Sequence, residues 1–315
     1  MNEPARLALA DPSSADPAAS GPVRFVVANG LRFAYLERGR GPLVLLLHGF
    51  PDNAETYVDL MEDLAAAGYR AVAPYLRGYA PTEIPEDGAF DPRTLAQDVA
   101  GLIGALEPGG RAHLVGMDWG GTSIQAAVVH CPELIASAVI MNAAHPATLG
   151  RFATDPDQVR QVFHFWFFQT DVAAQALAAG DLAMVSYLWR LWSPDHDPGP
   201  HLDSVRATLE APGVLPAALA YYGALYEAAQ ERTFPLGPGA GADALGVRSV
   251  RSDGEARRAG GPLLPGALPP GRARGGGPLA APRAPGRGVR ARARVVRCPP
   301  PWRSVMRQLV FTGAR

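Results

Sequence analysis

A carboxylate, Asp118, lies where an apolar strand pattern turns into a helix pattern, within Gly116-Met117-Asp118-Trp119-Gly120. Small residues on both sides allow a sharp turn that lifts the middle side chain above the edge of a sheet. We predict that Asp118 is a nucleophile, because nucleophilic side chains occur at such turns and a carboxylate can form a covalent ester. The alternative is a helix N-cap, a position at which aspartate is also preferred.

A second motif, His48-Gly49-Phe50-Pro51, follows the apolar run 43–47. In such an architecture the loop after this strand supplies one N–H of an oxyanion hole, and the residue after the nucleophile supplies the other. The N–H groups of Phe50 and Trp119 are therefore predicted to face the Asp118 carboxyl. His48 is a candidate base, but a histidine at the start of such a loop more often supports the loop through hydrogen bonds.

The elements that must position these motifs alternate between strand and helix patterns. Residues 23–39 predict two strands joined at Asn29-Gly30, a hairpin turn dipeptide. Later strands are predicted over 43–47, 70–76, 111–117 and 134–142, and helices over 54–68, 94–106 and 121–131. This alternation indicates βαβ units and a mostly parallel sheet that begins with an antiparallel hairpin.

Between His145 and Arg232 the strand pattern is replaced by helical patterns rich in aromatic residues, at 159–169, 182–193 and 215–232. Such a stretch is either an inserted helical domain or the helical remainder of an α+β protein. The predicted units are 1–22, a disordered N-terminus; 23–145, an α/β core; 146–232, a helical lid; and 233–315, a tail.

The motifs HGFP (48–51), RGY (77–79), GMDWGG (116–121) and HP (145–146) resemble those of the α/β-hydrolase family, in its branch of epoxide hydrolases and haloalkane dehalogenases. The resemblance covers roughly 23–235 and implies the α/β-hydrolase fold with an inserted lid. It also implies that Asp118 attacks a saturated carbon, opening an epoxide or expelling a halide, and leaves an alkyl ester on the enzyme.

The same resemblance implies two lid side chains that protonate the leaving oxygen of an epoxide. Tyr222 matches one of them, and His164 stands where the other tyrosine is usual. Three further tyrosines are reserve donors or core residues: Tyr187, Tyr221 and Tyr226. The expected substrate contacts are Trp119, His48, Trp166, Phe163 and Tyr187. The Trp119 indole N–H could also bind a halide, so it does not separate the two branches.

The tail differs from the rest of the chain in composition. The formal net charge is −1, yet residues 1–236 carry 14 Arg and 27 acids, while 237–315 carry 15 Arg and 3 acids. Gly, Pro, Arg and Ala make up 48 of the 64 residues in 237–300, which contain no aromatic residue, so this segment is predicted to be disordered. An Arg-rich tail that binds nucleic acid is the less favoured reading.

All seven histidines precede residue 202, whereas the resemblance places the general base and its acidic partner beyond the lid. We infer a shift of the reading frame near codon 237 that has removed both, so that turnover is doubtful. A catalytically inactive binding protein with the same pocket is the alternative from a different class. Cys131 and Cys298 indicate neither a disulfide framework nor a metal site, and we expect a cytoplasmic protein without cofactor that acts on a small molecule.

Overall fold

The computed structural model describes residues 21–143, 154–194 and 196–230, together with the short strands Arg248–Val250 and Ala256–Arg258. The predicted His145-Pro146 boundary, nearly all of 1–22 and most of 233–315 lie outside the described residues.

The centre of the fold is a mixed sheet with the strand order β1-β2-β4-β3-β5-β6-β7-β8. The strands are β1 Arg24–Ala28, β2 Leu31–Gly39, β3 Leu43–Leu47, β4 Arg70–Pro74, β5 Ala112–Met117, β6 Ile135–Met141, β7 Arg248–Val250 and β8 Ala256–Arg258. The pairs β4–β3, β3–β5, β5–β6 and β6–β7 are parallel, while β1–β2, β2–β4 and β7–β8 are antiparallel. This arrangement confirms the predicted α/β-hydrolase fold.

The hairpin and the buried strands form as their residue types predict. Asn29 and Gly30 adopt positive φ angles of 45° and 76°, as a tight turn between β1 and β2 requires. All five residues of β3 are buried, which is typical of a parallel strand covered on both faces. The loops after β3 and β5 therefore leave the same edge of the sheet from neighbouring strands, with Leu47 paired to Gly116.

Helices α1 Val58–Ala66, α2 Pro92–Leu106 and α3 Trp119–His130 connect the strands, and a 3-10 turn, Ala54–Tyr57, precedes α1. Helix α2 is capped at its N-terminus by Asp91, whose carboxylate accepts hydrogen bonds from the N–H groups of Arg93 and Thr94. Its buried residues recur at helical spacing and pack into the core beside α3.

In the helical segment, residues 154–230, the described residues include the helices α4 Pro156–Gln161, α5 His164–Phe167, α6 Ala173–Trp192, α7 Pro200–Glu210 and α8 Val214–Gln230. The chain within α6 leaves helical geometry at residues 179–182. Helix α7 was not predicted, because its mixed charged and apolar residues carry a weak pattern and only three of its side chains are buried, namely Val205, Thr208 and Leu209.

Within the segment 237–300, which its composition predicts to be disordered, the structure has two strands of three residues each. Strand β7 pairs in parallel with β6, with Ser249 opposite Ile140, and β8 returns antiparallel to β7. Composition did not predict these strands, because they form through backbone hydrogen bonds to the edge of β6, and almost any sequence can make such bonds. Among the described residues no helix has the length and apolarity needed to span a bilayer, and no three potential ligands cluster around a metal site.

Candidate active site

The turn that carries Asp118 is strained, with φ 50° and ψ −117°. The Asp118 N–H donates to the Met141 carbonyl at the end of β6, 3.1 Å away, and the Asp118 carbonyl accepts from the Thr122 N–H in α3. The side chain makes no cap hydrogen bond to α3. The helix-cap alternative therefore has no support, and the strain fits a residue held for its chemistry.

Glycines at and around this turn permit close backbone approaches. A Cβ on Gly116 would lie 2.6 Å from the Gly120 carbonyl carbon, and one on Gly120 would collide with the Leu47 carbonyl. A Cβ on Gly49 would occupy the space of the Asp118 side chain. The turn after β5 and the loop after β3 can thus meet only because these positions have no side chain.

The Asp118 carboxyl is enclosed and held by backbone donors. The Phe50 N–H donates to Asp118 Oδ1 over 2.8 Å, and the Trp119 N–H also acts on this carboxyl. Burial raises the pKa of Asp118 to about 6, against the opposing effect of the two N–H groups, and the nearby Asp52 carboxylate raises it further. Both predicted backbone donors, Phe50 and Trp119, therefore face the predicted residue.

His48 supports the loop after β3. Its Nε2 accepts from the Leu76 N–H at 3.0 Å, which leaves Nδ1 to donate to the Gly49 carbonyl, also at 3.0 Å. The ring is fully buried, and burial lowers the pKa of His48 to about 4. Because both nitrogens are engaged with the backbone, His48 is placed neither as a base nor as the substrate contact that the sequence reading expected.

An aromatic cluster from the helical segment covers Asp118. The Tyr222 ring lies edge-on to Trp119, with centroids 4.8 Å apart, and close to Phe50 and Phe168. The His164 ring is 5.6 Å from that of Tyr222. The structure thus brings the two candidate proton donors, Tyr222 and His164, together, and Tyr222 is close enough to the Asp118 carboxylate to interact with its charge.

Several polar atoms in this cluster and next to it are buried without a hydrogen-bond partner, namely Trp119 Nε1, His164 Nδ1 and the hydroxyls of Tyr222 and Tyr79. The Trp119 indole N–H lies near the Tyr222 hydroxyl and acts to lower its pKa, although the two groups do not meet hydrogen-bond geometry. Burial, reinforced by the Asp118 charge, nevertheless keeps the pKa of Tyr222 well above its ordinary value. Unsatisfied buried donors are rare in folded proteins and mark this cluster as a candidate binding site.

Other predicted residues lie elsewhere. Trp166 and Tyr187 are 41% and 49% exposed, and Tyr226 is 51% exposed, so none of the three is buried in the cluster. Their exposure was not predicted, because the helical repeat alone does not say which face of a helix packs inward. Phe163 is half-buried next to His164, and Tyr221 donates to the Arg77 carbonyl at 2.8 Å. Tyr221 is therefore a structural residue.

An acid and a histidine near this site were not predicted from the sequence. Asp52 is buried, and its Oδ1 lies 2.7 Å from His201 Nε2 on α7. Asp52 comes directly after the HGFP motif, but its partner is 149 positions away along the chain. No pattern in the sequence links the two residues, because α7 itself was not predicted.

Comparison with known proteins supports the same architecture. A model of the α/β hydrolase fold family matches residues 42–181. The epoxide hydrolase of Bacillus megaterium in complex with an inhibitor has a similar structure, with a TM-score of 0.62 and 22% identity over 72% of this chain and 82% of that one. Epoxide hydrolase VrEH1 from Vigna radiata gives a TM-score of 0.58 with 24% identity over 73% of this chain and 79% of that one.

Curated relatives match shorter stretches. An epoxide hydrolase from Caballeronia sordidicola is 40% identical over 109 residues, which are 34% of this chain and 33% of that protein. Epoxide hydrolase A from Mycobacterium tuberculosis is 34% identical over 170 residues, 51% of each chain. The chain thus spans about a third to a half of the length of these two relatives.

Proposed function

We propose that this chain, which is similar in fold and sequence to epoxide hydrolases with the α/β hydrolase fold, opens epoxides through a covalent ester on Asp118. The observation that carries the proposal is the Asp118 carboxyl at a strained turn, with the Phe50 N–H 2.8 Å from Oδ1. That contact holds one oxygen in place and leaves the other to attack a carbon.

In the proposed step, an Asp118 oxygen bonds to a ring carbon while the C–O bond of the epoxide breaks. The released oxygen takes a proton from Tyr222, which is protonated because burial and the Asp118 charge raise its pKa. His164 donates a hydrogen bond to the same oxygen as a neutral ring, since burial lowers its pKa to about 4. The helical segment acts as a lid that excludes water from this step.

The second half of a hydrolytic cycle needs water to attack the ester carbonyl. The Phe50 and Trp119 N–H groups form the oxyanion hole for that attack, since they already act on the carboxyl. His48 is excluded as the base by its two backbone contacts. We propose that a frame shift near codon 237 has removed the usual acid and histidine, so that the ester forms faster than it is hydrolysed.

Intact-mass measurement after incubation with styrene oxide tests the proposal. We expect the chain to gain the mass of one epoxide, at Asp118, and the adduct to persist from minutes to hours. Asp118→Asn is the matched variant and should gain no mass. If Asp118→Asn is labelled as well as the unaltered chain, the nucleophile is a different residue.

Haloalkane dehalogenation is the second candidate, because the buried Trp119 Nε1 has no hydrogen-bond partner and could donate to a halide. The two reactions differ in their need for a proton, since a halide leaves as an anion and an epoxide oxygen does not. Tyr222→Phe should therefore slow labelling by styrene oxide about 10- to 100-fold and leave labelling by a bromoalkane nearly unchanged. Absence of labelling by both reagents would favour a binding protein instead.

A further inference from the structure

The Phe50 amide lies in a short loop that is fixed from both ends. On one side, His48 holds the loop through the Leu76 N–H and the Gly49 carbonyl. A turn follows, closed by the Asp52 N–H and the Gly49 carbonyl at 3.1 Å, and Phe50 lies inside it. Any displacement of the chain just after Phe50 is therefore transmitted to the N–H that contacts Asp118.

On the other side, side chains of the helical segment form hydrogen bonds with the residues that follow Phe50. Trp189 Nε1 on α6 donates to the Pro51 carbonyl at 2.8 Å, and His201 on α7 contacts Asp52. Asn53 Nδ2 donates to the hydroxyl oxygens of Ser204 at 2.8 Å and Thr208 at 3.0 Å, also on α7. We call these contacts the 51–53 anchor.

The anchor is buried, and buried hydrogen bonds transmit position well. Asn53 is fully buried, and Asp52, Trp189 and Thr208 are almost so, so water does not readily replace the partners when a bond is lost. The Phe50 ring adds apolar contact with the same segment, 5.3 Å from the Phe168 ring centroid.

We propose that the helical segment sets the position of the Phe50 N–H through the 51–53 anchor, which makes Trp189, Ser204 and Thr208 positioning residues for Asp118. The proposal rests on the proposed function and extends it, because the segment that covers the substrate also completes the oxyanion hole. A helical segment displaced from the loop would leave Asp118 without its best-placed donor.

The pH dependence of Asp118 alkylation reports this coupling. A hydrogen bond to the carboxylate lowers the pKa of Asp118, so loss of the Phe50 contact raises the pH at which the reactive carboxylate forms. The other titratable groups around Asp118 are Asp52 and the hydroxyls of Tyr57, Tyr79 and Tyr222, and the pKa of each of these tyrosines is raised by burial. The three tyrosines therefore stay protonated near neutral pH.

Two independent variants weaken the anchor and leave the Asp52–His201 pair intact. Trp189→Phe removes the donor to Pro51, and the double variant Ser204→Ala with Thr208→Val removes both acceptors of Asn53. Each should move the midpoint of the alkylation rate upward, by about one pH unit if the Phe50 contact is lost. Labelling at pH 5 would then fall about tenfold, with recovery at pH 8.

Ser186→Ala is the matched control, because Ser186 accepts from Arg206 Nη2 within the helical segment and has no hydrogen bond to the loop. Its midpoint should equal that of the unaltered chain. Near-ultraviolet circular dichroism identifies any variant that fails to fold, and the other anchor variant then carries the test. Labelling by styrene oxide, followed by intact mass from pH 5 to pH 8.5, is the measurement.

The outcomes separate the two ideas. Suppose that the unaltered chain is labelled normally and that the anchor variants are labelled more slowly by the same factor at every pH. This result would overturn the positioning role and leave the proposed function standing. A midpoint shift in Ser186→Ala as large as that in the anchor variants also overturns it. No labelling of the unaltered chain at any pH means that the proposed function itself is wrong, and the inference falls with it.

Discussion

At the scale of single residues, Asp118 combines a conformation and an environment that both oppose a stable carboxylate. Its φ of 50° is unusual for a residue with a side chain, and its carboxyl is buried close to Asp52. The N–H of Phe50 offsets only some of this cost, since the pKa of Asp118 is still raised to about 6. The folded state therefore holds a reactive carboxylate at a cost in stability.

Asp118→Asn should stabilise the protein in a pH-dependent way. A carboxyl whose folded-state pKa is raised from 3.8 to about 6 contributes stability below the unfolded value, and that contribution is lost as the pH rises through about 6. Asparagine stays neutral and avoids the loss. Urea unfolding should show a stabilisation of the variant that is larger at pH 8 than at pH 4 by about 2.4 kcal/mol.

Asp171→Asn is the control for this experiment, because Asp171 is an exposed carboxylate on the helical segment. Its effect should be within about 0.5 kcal/mol of zero at both pH values. A stabilisation by Asp118→Asn that is the same at pH 4 and pH 8 would show that strain, and not the buried charge, dominates at this position.

The sequence identified those site residues whose role depends on local spacing. Asp118 and Trp119 are adjacent, and Phe50 follows a strand that had to neighbour β5 in a parallel sheet, so their meeting could be predicted. The anchor contacts of Asp52 and Asn53 could not, because their partners lie about 150 positions later, on a helix with a weak apolar pattern.

At the scale of elements, the site depends on the close approach of β3 and the start of α3. A Cβ at Gly120 would overlap the Leu47 carbonyl, which belongs to the backbone of β3 and cannot rotate away. The neighbouring Tyr57 hydroxyl donates to that same carbonyl at 2.7 Å, so the oxygen is held from a second direction. The two elements can therefore not separate without loss of core packing.

Gly120→Ala should destabilise the protein by more than about 3 kcal/mol, because the backbone of either β3 or α3 has to shift to relieve the overlap. Gly104→Ala is the matched control, since Gly104 lies exposed in α2 with open space around its Cα. That substitution should stabilise α2 by about 0.5–1 kcal/mol, through the better helix propensity of alanine.

Thermal and urea unfolding of the two variants give the comparison. Equal stability of Gly120→Ala and Gly104→Ala would mean that α3 can move away from β3, and the turn would then not be the rigid element that the contacts indicate. Labelling of Gly120→Ala by styrene oxide should also be lost, because Trp119 and its N–H shift with the start of α3.

The order of the elements followed from the sequence, but their docking did not. The alternation of strand and helix patterns predicted the sheet, because strands such as β3 and β5 are apolar throughout or nearly so. The Asn29-Gly30 dipeptide predicted the hairpin. The bend at 179–182 and the outward faces of Trp166 and Tyr187 depend on how the helical segment packs on the loop after β3. Periodicity alone does not specify that packing.

At the scale of the whole molecule, the chain has a part with an excess of acids, residues 1–236, and a part with an excess of Arg, residues 237–315. The second part supplies much less of the described sheet than the first. The described strands β3, β5 and β6 contain five, six and seven residues, whereas β7 and β8, which follow position 237, contain three each. A segment so rich in Gly, Pro, Arg and Ala offers little apolar surface to cover the end of the sheet. The frame-shift proposal accounts for this contrast.

The proposal predicts what a corrected frame after Leu236 would do. A longer strand, an acid and a histidine restored beyond the helical segment should extend the pairing along β6 and supply a base near the Asp118 ester, so the adduct with styrene oxide should turn over instead of accumulating. The protein should also unfold more cooperatively, because the apolar surface at that end of the sheet becomes buried. Calorimetric scans and an assay for the diol product, run on the 315-residue chain and on the frame-corrected protein, provide the measurement.

If the 315-residue chain already unfolds cooperatively and produces the diol through many cycles, the base lies among the seven early histidines. His201 beside Asp52 would then be the first to substitute, because His48 has both ring nitrogens engaged with the backbone.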